Sequence, residues 1–127
     1  MYLQLAQVAF FFEKVVEPGF NYFNTRDYQI CSADERQRLL STDTYEETTF
    51  LLIPQIDRNE IAAKYLVEKN NRNLLREREV EDFYRKFHWY VEDNHLANDW
   101  NHFEKLELIR FAATWCERNQ LRFTGKQ

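Results

Sequence analysis

Three histidines recur at intervals of seven, His88, His95 and His102, in or beside the stretch FYRKFHWYVEDNHLANDWNHF (residues 83–103), which also holds seven aromatic rings. Metal ligation is the chemistry such residues suggest. On a helix, however, neighbours seven apart stand about 10 Å from one another, beyond the span of one ion; shared ligation needs i and i+3 or i+4. Asp93, His95, Asp99 and His102 would form an alternative ligand set only if residues 94–98 loop back. The reading adopted is that these are solvent-facing or capping polar groups. No metal and no cofactor is expected.

The carboxylates point the same way. Glu77, Glu79, Glu81, Asp82, Glu92 and Asp93 are interspersed with Arg72, Arg76, Arg78, Arg85 and Lys86, a mixed-sign pattern typical of a solvated helix face. There is no glycine-rich phosphate loop, nucleophile elbow or HExxH motif. With 2 glycines in the chain, a phosphate cradle has little backbone to use. A non-enzyme is expected, with an enzyme or metal protein using residues 93–102 as the third reading.

The aromatic residues say more. At 17% of the chain they are an unusually large supply of bulky rings, so some are expected to serve interfaces. At 100° per residue, Val80, Phe83, Tyr84, Phe87, Tyr90 and Val91 share one face, while Trp89 projects among Asp82, Arg85, Lys86 and Glu92. Near the N-terminus, Leu5, Val8, Phe12, Val15 and Val16 face inward, whereas Phe10 and Phe11 fall toward Gln4, Gln7 and Lys14. Trp89, Arg85, Lys86, Phe10 and Phe11 are therefore the candidate partner-binding residues, with Arg85 and Lys86 placed to neutralise an acidic partner. A competing surface is an aromatic hairpin in which Tyr22, Arg26 and Tyr28 would bind single-stranded nucleic acid by stacking. Arg26 is the sole basic residue there, and the net charge of −4 disfavours phosphate binding generally.

The elements that must position these groups follow from periodicity and turn residues. Residues 3–17 read as a helix stopped by Pro18-Gly19. FNYFN and YQICS flank a polar turn at Thr25-Arg26-Asp27, hence a hairpin. Ser32 to Glu35 forms a capping box opening a helix over 33–40, and FLLIP reads as a buried strand. A second cap at Asp57 opens a helix to about Lys69, and Asn70-Asn71 breaks it. Residues 72–94 are helical with a kink near 75–79; Asn98 or Asp99 caps a last, broadly apolar helix over about 100–119, and LRF (121–123) adds a short strand.

The sum is a single α+β domain over residues 1–127, a small antiparallel sheet (the hairpin plus short strands) packed against about five helices. Cys31 and Cys116 match no metal or CxxC spacing and read as cytosolic thiols. The first residues lack a basic leader region and a small-residue cleavage site, and no run reaches the length of a membrane helix. A cytoplasmic protein that does not enter the membrane is expected.

The order of features resembles the bacterial uncharacterised protein family 0158. The motifs are NYFNTRDYQI, then FLLIP, then Tyr84-Arg85-Lys86-Phe87 in place of a Phe-Arg-Arg-Phe stretch, then WNHF (Trp100, Phe103) and AATWCERNQL (Ala112, Trp115). Members often carry glycines before the Phe-Arg-Arg-Phe stretch, where this chain has EVEDF. The resemblance implies the architecture and a bacterial cytoplasmic setting, and it implies no reaction. The expected function is a protein-interaction or regulatory module acting on an unidentified protein or on a second copy of itself.

Overall fold

The computed structural model describes residues 2–15 and 19–125. In chain order these form β1 (Leu3–Gln4), α1 (Leu5–Glu13), β2 (Tyr22–Asn24), β3 (Gln29–Cys31), α2 (Ala33–Leu40), β4 (Phe50–Leu52), α3 (Arg58–Glu68), α4 (Arg72–Leu75), α5 (Phe83–Asp93), α6 (Ala97–Arg118) and β5 (Phe123–Thr124). A 3-10 turn, Glu47–Thr49, leads into β4. The fold is α+β. Two compact units are present: Met1–Ile56 with Phe111–Gln127, and Asp57–Arg110. None of the described helices is long and apolar enough to cross a membrane.

In the first unit, the hairpin is set by Asn24. Its Oδ1 accepts the backbone N–H of Arg26 at 2.9 Å and that of Asp27 at 3.3 Å. Tyr28 takes a left-handed conformation (φ 61°) and returns its N–H to the Asn24 carbonyl. The turn therefore spans Thr25–Tyr28, one residue longer than the expected three, and pairs Asn24 with Gln29. The sheet is antiparallel in the order β3-β2-β4, so β4 lies at an edge. FLLIP is not the fully buried strand its run of apolar residues suggests: Phe50 and Ile53 are buried, Leu51 is half-buried and Leu52 is 64% exposed.

Ser32 opens α2 by accepting the Glu35 N–H at 3.2 Å, and the helix has the expected limits, 33–40. The Glu35 carboxylate lies 3.7 Å from Arg38, a turn further on. The expected helix over 3–17 is shorter. Leu3 and Gln4 instead pair in parallel with Phe123 and Thr124, so α1 starts at Leu5. The strand expected at 121–123 is displaced: β5 is Phe123–Thr124, and Leu121 and Arg122 precede it outside the strand. Leu5, Val8, Phe12 and Val15 are buried as their phase requires, while Val16 and Pro18 lie outside the described residues. Phe11 is buried too, its ring 5.7 Å from that of Phe23. Trp115 completes this core, edge-on to Phe12 and Phe23, with its indole N–H donated to the Leu52 carbonyl at 3.1 Å.

The second unit opens at Asp57, whose carboxylate accepts the Asn59 N–H at 2.9 Å to start α3. Asn70 turns left-handed (φ 58°), and Asn71 caps α4 through the Leu74 N–H. The kink expected at 75–79 is a complete break. Between α4 and α5, the N–H groups of Glu77, Arg78, Val80 and Phe83 each bond the carbonyl three residues back. These tight turns shift Val80 out of phase with α5. It is 49% exposed, not part of the core face. Phe83, Phe87 and Val91 are buried as expected, and Tyr84 and Tyr90 are half-buried. Tyr65 sits edge-on to Phe87, Trp100 and Phe103, with centroids 5.2 to 6.0 Å away. Helix α6 begins at Ala97, three residues earlier than expected, with Trp100 N–H bonded to the Leu96 carbonyl.

Candidate interaction surface

Helix α5 divides its residues sharply. Phe83, Phe87 and Val91 face the aromatic cluster, so residues half a turn away must face solvent. Arg85 and Trp89 are four apart and hence neighbours on that outer face. Trp89 is 52% exposed, and the Arg85 guanidinium lies over its ring, 5.0 Å from the centroid. Asp82 grips the same guanidinium at 2.6 Å. Such a cation–π contact contributes about 0.5–1 kcal/mol in water, enough to bias both rotamers.

The other expected contact residues fare differently. Lys86 is turned to Glu77 at 2.7 Å, so its charge is neutralised within the chain. Arg85 is likewise paired, and the two are not bare cations awaiting an acidic partner. Phe10, in the first unit, is 50% exposed with the Lys14 ammonium 4.6 Å above its ring. Phe11 leaves the candidate set because it is 6% exposed and packs against Phe23. On a helix with buried residues at Leu5, Val8, Ala9 and Phe12, position 11 lies at the rim of the inward arc, and a phenylalanine there is drawn in.

The hairpin residues are occupied by their own chain. Arg36 lies 4.9 Å from the Tyr22 ring, and Tyr28 meets Phe23 edge-on at 5.4 Å. Arg26 donates to the Thr44 carbonyl at 2.7 Å and covers Tyr45. The cation expected to guide a phosphate chain is thus committed to a loop.

Among the described residues, no three of His, Cys, Asp and Glu converge as metal ligands. His88 is half-buried, edge-on to Tyr84 at 4.5 Å. His95 takes a left-handed turn conformation (φ 55°) between α5 and α6. The early start of α6 places Asp99 in its first turn, where it does something sequence reasoning missed. Asp99 Oδ2 accepts the Tyr65 hydroxyl at 2.6 Å and the Lys69 ammonium at 2.7 Å. Tyr65 on α3 and Lys69, which caps its C-terminus, are one helical turn apart, so the spacing brings the two donors together and only their acceptor comes from elsewhere. Burial, then the bond to Asp99, raises the Tyr65 phenol well above its ordinary value, so it stays a neutral donor. The same contacts, Lys69 first, hold the Asp99 carboxyl below the usual range.

A folded-state pKa that is lowered adds stability above the unfolded carboxylate range, and this is lost as pH falls through the folded value. We therefore expect the stability difference between the native chain and Asp99→Asn to be largest near neutrality and to shrink in acid. Urea unfolding across pH checks this; a difference independent of pH would contradict it. Both thiols are buried, and burial raises that of Cys116 to about 11 and also raises that of Cys31. Neither is a ready nucleophile.

No family model, curated protein or solved structure matches the chain.

Proposed function

We propose that the chain is a non-catalytic protein-interaction or regulatory module of the bacterial cytoplasm, anchored to its partner by Trp89. The partner is another protein or a second copy of the chain. One observation carries this reading: a half-exposed indole on the solvent side of α5, held beneath a guanidinium that Asp82 braces. Burying a large side chain contributes about 1.5–3 kcal/mol, and one whose rotamer is already biased loses less entropy on binding. Tryptophan with arginine is also the composition enriched where interfaces concentrate their energy. Because Arg85 and Lys86 carry internal partners, recognition would come from the flat stacked pair more than from net attraction to an acidic partner.

The test is a tagged pull-down from the native bacterium, with and without nuclease, beside Trp89→Ala. The expected result is a protein recovered in fixed proportion, indifferent to nuclease and lost with the variant. Trp89→Ala itself should change stability by less than about 1 kcal/mol, since the ring lies outside the core. Nuclease-sensitive recovery that ignores Trp89 would favour nucleic-acid binding through the hairpin instead.

A further inference from the structure

Helix α3 buries Ile61, Ala62, Tyr65 and Leu66, yet its outer side carries Val67, 63% exposed. Val80, displaced outward by the tight turns before α5, is 49% exposed. Both line one open groove of about 720 Å³ in the second unit, with Ala63 and Leu75 completing an aliphatic floor. A volume of this order is that of an ordinary ligand or peptide site.

Its rim has a definite charge. Asp57, Glu60, Glu79 and Glu81 stand against Lys64 and Arg78, four carboxylates to two cations, a net −2. Both cations are engaged: Lys64 lies 3.4 Å from Glu107, and Arg78 lies 3.8 Å from Glu79. An aliphatic floor inside an acidic rim selects a segment of complementary character and repels nucleic acid. A second copy of this chain, itself at −4, is the poorer match.

We propose that this groove docks a partner segment of aliphatic residues flanked by lysine or arginine. The site goes beyond the Trp89 surface, since neither Trp89 nor Arg85 lines it.

The probe is a fluorescein-labelled amphipathic peptide of leucine and lysine, read by anisotropy against a leucine–glutamate counterpart. The lysine peptide is expected to bind and the glutamate peptide not to bind. Glu60→Lys with Glu81→Lys should weaken binding by about tenfold or more, as like charges meet at the rim. Val67→Gln, which removes floor without changing charge or core, should weaken it several-fold. The control is Glu46→Lys with Glu47→Lys, an equal reversal at exposed positions of the first unit. A control that weakens binding as much as the groove pair would reduce the attraction to net charge and overturn the site. Equal binding of the glutamate peptide, or indifference to Val67→Gln, would overturn it as well.

Discussion

Replacing Phe87 by alanine is expected to destabilise the protein by about 3–5 kcal/mol, the largest effect of any single change in the second unit. The ring is fully buried and meets Tyr65 and Trp100 edge-on, at 6.0 and 4.7 Å, with Phe83, Tyr84 and His88 also against it. Deleting it removes transfer energy and leaves a void among rigid rings that fill space badly by relaxation. Against a total stability of about 5–15 kcal/mol for a domain, the loss is severe. Phe87→Leu keeps more of the volume and should cost distinctly less. Chemical unfolding measures both. The contrast with Trp89, two residues along the same helix, is what matters for function: one change attacks the support of α5, the other only its outer face. A Phe87→Ala cost near zero would mean that the aromatic cluster does not hold this helix.

Trp115 should be the corresponding position in the first unit. Its ring lies edge-on to Phe12 at 6.5 Å and to Phe23 at 5.8 Å, and its N–H reaches the Leu52 carbonyl. Trp115→Ala is expected to cost about 3–5 kcal/mol. Trp115→Phe retains an aromatic ring but removes the donor from the β4 backbone, for about 1–3 kcal/mol. That bond also covers part of an exposed strand edge, so the phenylalanine variant should show faster amide exchange in β4 than in β2. Equal exchange in both strands would argue that the indole contributes packing alone.

These two cores were legible in the sequence to different degrees. The positions of Phe83, Phe87 and Val91 follow from a 3.6-residue period, and Trp115 falls in the apolar arc of the last helix, because periodicity records which side of an element is covered. The caps at Ser32 and Asp57 were legible because a short polar side chain bonds the first amides of the helix it precedes. Val80 was misplaced because a helical phase carried through residues 76–82 assumes bonds four residues back, whereas the chain makes bonds three residues back. The parallel pairing of residues 3–4 with 123–124 left no local signal, since two-residue strands are defined by each other and not by their own composition. Phe11 was misjudged for a related reason: a rim position is decided by what packs opposite it, here Phe23.

The candidate surface was legible in part. The isolation of Trp89 from the apolar stripe was visible, as was its proximity to Arg85. The diversion of Lys86 to Glu77 was not, because the pairing depends on the turn between α4 and α5. The Tyr65–Asp99–Lys69 arrangement escaped notice since Asp99 comes from another helix than its two donors. Sequence spacing identifies neighbours within one helix, and contacts between helices require the packing itself.

The three tryptophans allow a direct test of the anchoring role, because Trp89 is half-exposed while Trp100 and Trp115 are buried. With 5-fluorotryptophan incorporated, three fluorine signals are expected, and Trp89→Ala identifies the one most sensitive to exchange of water for heavy water. The measurement is the position and solvent sensitivity of that signal in dilute buffer and in concentrated soluble extract of the native bacterium. If Trp89 anchors a protein partner, its signal moves and loses solvent sensitivity while the other two hold their positions. A Trp89 signal that keeps both its position and its solvent sensitivity in extract, and from dilute to concentrated pure protein, would contradict the proposed function.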